Sequence, residues 1–365
     1  MSERDDYALA STAATQIEAP QLDYRPPRPA GRHGIALVGA GGISFAHLDA
    51  YRAHGYEVVA IHSPNRARAE ARRDEFFPDA DVVEDYETLL RRDDVDVLDL
   101  TPHPPARLTL MQRAIAAGKH VLSQKPFVED LDEGERLVEA AQRRGVMLAV
   151  NQNGRWAPHF AWMRAAVRAG LIGEIGGIHV SLHWDHRWIR GTPFGEMQDV
   201  VLYDFGVHWF DFVTSLTGRL AERVQAQALH MPSADIAVPM LASALMDFGD
   251  AQASLVFDAA TPFGPSDTSY VAGSKGSIAA RGPDLGNQQV ELHTEAGVAR
   301  PTLEGKWFND GFAGAMGALL AAVETGREPE NSAEANLVSL ANTFAALKAA
   351  HTGEAQVPGE VRRRV

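Results

Sequence analysis

The chain has no cysteine in its 365 residues. That excludes disulfides, thiolate nucleophiles and cysteine-ligated metal sites, each of which needs the sulfur. It also lacks any apolar run near the ~18 residues that a membrane-crossing helix requires. The charged start Met1-Ser2-Glu3-Arg4-Asp5-Asp6 has no apolar segment behind it and does not read as a secretory signal. Positive charge is in deficit, with 34 Lys and Arg against 48 Asp and Glu and a formal charge of −14. Nucleic acid and anionic membranes attract the opposite balance, so neither is an expected partner. A cytoplasmic protein is the expectation. The length suits about two domains at ~150 residues each.

Residues 1–30 read as an extended, proline-rich arm, with Pro20, Pro26, Pro27 and Pro29 favouring polyproline-like backbone. It is expected either to trail as a disordered tail or to lie on its own domain or a neighbouring subunit, anchored by Leu22 and Tyr24. From 31 to 152, apolar strand-like runs (34–39, 57–62, 96–100, 120–123, 146–150) alternate with helical stretches. Such alternation predicts an α/β architecture with a parallel, doubly wound sheet of the Rossmann type.

The first strand runs into Gly39-Ala40-Gly41-Gly42-Ile43-Ser44 and then a helix. Gly39 allows a tight turn, Gly41 lets a phosphate approach the backbone, and the helix start offers free N–H groups to pyrophosphate. Ser44 stands where the G-x-G-x-x-G pattern has its third glycine. At the end of the second strand there is no acid to hold the adenine ribose; Ser63-Pro64-Asn65-Arg66 stands there instead. Ser63 and Arg66 therefore admit NADP as well as NAD, unless Arg66 is only a solvated residue at the helix start. Thr101, Pro102 and His103, ending the third strand, are expected to line the cofactor groove. Lys125 precedes Pro126 at the end of a fourth strand, and proline disfavours helix at that position. Ligands bind outside the carboxyl ends of such strands, so Lys125 is placed to polarise an oxygen or exchange a proton, although a surface lysine is the plain alternative.

After Asn151 the pattern changes. Residues 153–365 carry helices at 159–169, 199–216, 309–325 and 333–351. Strand-like runs fall at 175–184, 222–231, 239–248, 251–260, 267–273 and 288–293. This predicts a second, substrate and oligomerisation domain on a largely antiparallel sheet, with helix 333–351 a candidate to pack back on the first. Arg362-Arg363-Arg364 reads as a solvated tail. Within 199–216, Asp204 and His208 are spaced i, i+4 and would share a helical face. His208 is the natural proton acceptor near neutrality. Alone, each of these residues is as well explained by packing.

Three motifs in order change that balance: Gly39-Ala40-Gly41, Gln124-Lys125-Pro126, and Asp204-Phe205-Gly206-Val207-His208-Trp209-Phe210-Asp211. Together the chain resembles the Gfo/Idh/MocA oxidoreductases from about residue 34 to about 350. The resemblance implies a Rossmann domain followed by an α/β domain with an open, mostly antiparallel sheet whose outer face packs on another subunit, as a homodimer or homotetramer. It implies NAD or NADP as cofactor, and hydride transfer on a sugar, polyol, inositol or similar hydroxy compound. Lys125, Asp204 and His208 are then the catalytic set, the proton being carried by Lys125 or His208. Gly39, Gly41, Gly42, Ile43, Ser63, Arg66, Thr101, Pro102, His103, Gln124, Lys125, Pro126 and Asn153 are the cofactor candidates. Gln124 departs from the family's glutamate and carries no charge. Arg155, Trp156, Trp184, Asp185 and His186 are candidates for the substrate wall. His183 and His186 lack tight ligand spacing, so no metal is expected. Two rivals remain: an NAD-assisted glycoside-cleaving enzyme of the same fold, told apart by its products, and a non-catalytic dinucleotide sensor, against which the intact catalytic set argues.

Overall fold

The computed structural model describes residues 14–365. The first sheet is built from β2 (Gly34–Val38), β3 (Glu57–His62), β4 (Asp81–Val83), β5 (Val97–Leu100), β6 (His120–Gln124) and β7 (Leu148–Asn151), after a short β1 (Gln16–Ile17) in the arm. Helices α1 (Ser44–His54), α2 (Arg66–Phe76), α3 (Tyr86–Leu90), α4 (Pro104–Ala116) and α5 (Leu131–Arg144) alternate with these strands. The spatial order is β4-β3-β2-β5-β6-β7, and every pairing is parallel. Counted within the domain this is the 3-2-1-4-5-6 order of a dinucleotide fold, with its crevice where β2 and β5 diverge. β2 is buried on both faces, as a strand covered by helices on each side must be.

The remaining chain forms α6 (Pro158–Arg168), β8 (Ile175–His183), α7 (Val207–Thr217), β9 (Arg223–Leu229), β10 (Leu241–Asp247), β11 (Gln252–Asp258), β12 (Ser266–Gly273), β13 (Gly276–Gly282), β14 (Gln289–Thr294), β15 (Gly297–Ala299), α8 (Trp307–Thr325) and α9 (Ala333–Thr352). Its nine-stranded sheet runs β1-β15-β14-β13-β12-β8-β11-β10-β9. Only β8–β11 and β1–β15 are parallel. The inward residues Ile178, Val180, Leu182, Leu255 and Phe257 are buried, and Phe160 of α6 stacks on Phe212 of α7 at 4.1 Å in the same core. β13 escaped sequence reading because Gly-Ser-Ile-Ala-Ala-Arg-Gly offers only one β-branched residue between two glycines.

α9 joins the two units. A side chain at Gly134 of α5 would lie 2.5 Å from Leu337 Cδ2, so glycine there lets the two helices touch. Asn331, just before α9, donates to the Val150 and Ala315 carbonyls at 2.9 and 3.2 Å.

The arm from residue 14 lies on its own chain. Gln16–Ile17 adds to β15, Tyr24 Oη accepts from Glu304 N at 3.0 Å, and the Ala30 and Gly31 amides donate to the Glu324 carboxylate. Residues 1–13 lie outside the described part. Arg362–Arg364 is not a solvated tail. Arg362 pairs with Asp132 and Glu135, Arg363 with Asp130 and Arg364 with Glu129. Arg364 also lies 4.2 Å over the Tyr203 ring. Among the described residues no helix is long and apolar enough to cross a membrane.

Candidate active site

The glycine turn sits at the carboxyl end of β2. Gly39 has φ +102°, and a Cβ there would meet Thr101 Oγ1 at 2.5 Å and Pro102 at 3.1 Å, so no other residue fits without displacing the neighbouring strand's end. Thr101 Oγ1 ties that strand to the turn by donating to the Val38 and Gly39 carbonyls. At Gly41 and Gly42 a Cβ would meet nothing within 4 Å. This is open space over the start of α1, the place a diphosphate needs. Ser44, in the third glycine's position, is fully buried with its hydroxyl on Gly41 O at 2.6 Å, so it closes the turn rather than blocking it. The residues present therefore fit a dinucleotide.

At the end of β3, Ser63 is buried and its hydroxyl accepts from Asn65 N, while Asn65 caps α2. Arg66 is paired with Glu70 at 2.7 Å and with Glu84. Its charge is thus already balanced, which weakens it as a 2′-phosphate ligand. His103 begins α4 beside Phe194.

Lys125 directly follows β6 and precedes a cis peptide to Pro126. Its Nζ lies 3.3 Å from Asp204 Oδ1 and donates to Asp204 O at 2.8 Å. The expected helix 199–216 is not continuous. Residues Val200–Phe205 form a π-turn, Gly206 follows, and α7 starts at Val207. A Cβ on Gly206 would sit 2.7 Å from Leu202 O, so glycine is what the wide turn requires. The consequence is that Asp204 and His208 do not share one regular helical face; the turn aims Asp204 at Lys125 instead.

His208 keeps partial exposure to the cleft, but its Nδ1 is sealed without a partner. Burial, then the Lys125 charge, hold its pKa well below the ordinary value near 6.5. It is neutral at pH 7. Its ring meets Trp307 edge-on at 5.4 Å. Beside it Trp184 packs on His186 and Trp209, and His186 on Phe205. Burial pushes His186 down to about 4, while Asp185, hydrogen-bonded by Arg187, is lowered to about 2. His183 is engaged with Asp258 at 2.7 Å.

Three expected ligand contacts are corrected. Arg155 is buried and forks onto Asp211 at 2.7 and 2.8 Å, so it joins α7 to the hinge rather than facing a substrate. Trp156 is buried against Gly314, with Arg164 over its ring. Asn153 is also buried, its Oδ1 accepting from Trp307 Nε1 at 2.7 Å. Two participants escaped the sequence reading. Trp307 comes 99 positions after His208 with no motif around it, and only the fold brings it there. Arg107, 1% exposed, donates to the Pro102 and Pro126 carbonyls and so braces both cofactor-side loops; burial lowers it to about 9.

Residues 33–152 match the family model described as an oxidoreductase family with an NAD-binding Rossmann fold, and residues 160–279 match the GFO/IDH/MocA C-terminal domain. The chain belongs to the Gfo/Idh/MocA family. It is accordingly an NAD(P)-dependent oxidoreductase. Among relatives of this Gfo/Idh/MocA protein, D-apiose dehydrogenase of Paraburkholderia graminis is 26% identical over 87% of this chain and 88% of its own. Inositol 2-dehydrogenase of Rhizobium meliloti is 24% identical over 86% and 96%. In fold, the chain superposes on an oxidoreductase from Agrobacterium radiobacter, solved with NAD+, L-tartaric acid and magnesium, with TM-score 0.80 and 21% identity, covering 90% of this chain and 99% of that one.

Proposed function

We propose that the protein transfers a hydride between NAD(P) and a secondary hydroxyl or carbonyl of a sugar, polyol or inositol. The observation that carries this reading is the meeting of Lys125 and Asp204, at 3.3 Å, beside a neutral His208. A dinucleotide bound at the Gly41–Gly42 turn would supply the hydride acceptor or donor. The chain's own groups manage the proton and the charge. Lys125 polarises the substrate oxygen and stabilises it as negative charge develops. Asp204 holds the ammonium in place and helps seat the hydroxyl. His208, neutral and partly buried, takes the proton in alcohol oxidation and returns it in the reverse direction. The nitrogen left for this is Nε2, since Nδ1 is sealed. Trp184, Asp185, His186 and the exposed Trp188 form a wall of aromatic faces and polar tips that suits a hydroxylated ring. The relatives that act on apiose and inositol support the same substrate class.

A screen of aldoses, polyols and inositols with both NAD and NADP tests the reading. Net reduced cofactor from at least one polyhydroxy compound is expected. Glycoside cleavage without net cofactor reduction would replace it with the redox-assisted elimination.

The assembly is part of the proposal. Leu229, Leu245 and Tyr270, each 39–50% exposed, lie with Val256 on one outward face of the nine-stranded sheet. Such a face marks an interaction surface. A homodimer or homotetramer is expected; a monomer by light scattering at micromolar concentration contradicts it.

A further inference from the structure

Behind Gln124 lies a line of buried polar groups for which hydride transfer has no direct use. Tyr51 Oη and His47 Nδ1 each reach Asp99 Oδ2 at 2.7 Å. All three residues are 0% exposed. Burial, then the Asp99 charge, hold the Tyr51 hydroxyl well above its usual range, so it stays protonated and donates. A carboxylate oxygen accepts, so His47 presents a proton at Nδ1, and in the neutral ring Nε2 is then the acceptor. Asn151 Nδ2 lies 3.2 Å from that nitrogen. The second N–H of the same amide goes to Gln124 Oε1 at 2.7 Å. Gln124 and Asn151 are also register partners at the carboxyl ends of β6 and β7.

Polarity therefore runs one way along the line. Asp99 fixes the tautomer of His47, His47 fixes the amide of Asn151, and Asn151 fixes the carboxamide of Gln124. A reversed Gln124 would set its Nε2 against Asn151 Nδ2, two donors with no acceptor between them. In the fixed orientation Gln124, 6% exposed, keeps its two amide N–H groups for the crevice next to Lys125. A glutamate in its place would offer the crevice an acceptor only.

We propose that Asn151, set by His47 and Asp99, is a positioning residue that holds the Gln124 carboxamide with its N–H groups toward a ribose oxygen of the bound dinucleotide. This rests on the reading of the Gly39–Gln124 crevice as the dinucleotide site. Asn151 touches no ligand itself and acts through Gln124.

The test is a four-protein cycle, full-length wild type, Gln124→Ala, Asn151→Ala and the double variant, titrated calorimetrically with NADH and NADPH. Gln124→Ala is expected to weaken the better-bound dinucleotide about tenfold, the scale of one hydrogen bond. Asn151→Ala should cost about fivefold. The double variant should lose about tenfold, as Gln124→Ala does, because Asn151 has nothing left to position. If Asn151→Ala does not fold, Asn151→Ser, which is too short to bridge His47 and Gln124, completes the same cycle. Multiplied losses in the double variant, or an Asn151 variant that binds like wild type, overturn the positioning role alone. A wild-type chain that binds neither dinucleotide overturns the crevice reading as well.

Discussion

His208 shows how much burial, seconded by the Lys125 charge, can alter a residue's chemistry. An unperturbed imidazole titrates near ~6.5, and oxidation that relied on one would weaken as pH dropped through that value unless burial or Asp204 moved it. The structure moves that limit. With burial and Lys125 holding the imidazole neutral, the part of the pH profile that belongs to His208 lies well below 6.5. Steady-state oxidation rates from pH 5 to 8 check this; a fall centred at 6.5 that disappears in His208→Asn would count against it. His208→Asn and Lys125→Ala should each lose ~10²–10⁴-fold in turnover, the usual scale for a positioned acid or base, and His208→Asn should still bind nucleotide. If both variants turn over normally, the catalytic assignment of Lys125 and His208 fails; a wild-type chain that binds dinucleotide but turns over no substrate would favour the non-catalytic sensor. Gly41→Val fills open space that nothing else in the chain occupies, so a folded protein with lost dinucleotide binding is expected by titration.

At the scale of elements, the parallel sheet was legible because its strands are short apolar runs between helices, such as Gly34–Val38 before the glycine turn. The π-turn at Val200–Phe205 was not. Its residues have ordinary helical periodicity, and only Gly206 hints that the backbone departs from it. The cost of misreading it was the geometry of Asp204, which faces Lys125 across the cleft. Gly206→Ala should therefore lower turnover more than it lowers stability, because a Cβ 2.7 Å from Leu202 O must push the turn and move Asp204. Paired measurements of kcat and Tm separate the two effects; equal damage to both would mean the turn is only a structural joint. Arg155 and Trp156 were misplaced for a related reason. An arginine at the change from one domain to the next looks like a ligand contact until its partner is known, and Asp211 lies 56 positions away.

Across the whole molecule, burial keeps three histidines from taking up protons. Burial pushes His159 down to about 3 and His186 to about 4, and it holds His208 well below its ordinary value. The unfolded chain binds protons at these positions below ~6.5, and the folded chain refuses them. Stability from them is present above ~6.5 and is lost as pH falls toward 3–4, by up to about 1.4 kcal/mol per histidine for each pH step. Asp267 works the other way. Burial raises it to about 7, so it favours the fold below its unfolded value and weakens it as pH rises through 7. Thermal melts should show Tm declining from pH 6.5 downward, and Asp267→Asn should raise Tm at pH 8 more than at pH 5. A melt curve flat between pH 6.5 and 4.5 contradicts the histidine account.

The indoles around His208 have an optical consequence. Trp184, Trp209 and Trp307 follow one another with ring centres 5.1 and 5.7 Å apart, and Trp307 stands edge-on to the His208 imidazole. Excitation absorbed by any of the three can migrate among them. A reduced nicotinamide seated beside Lys125 would act as the sink for that energy. The chain thus carries an intrinsic fluorophore array at its own cleft, and tryptophan emission should report occupancy by the reduced cofactor without an added dye.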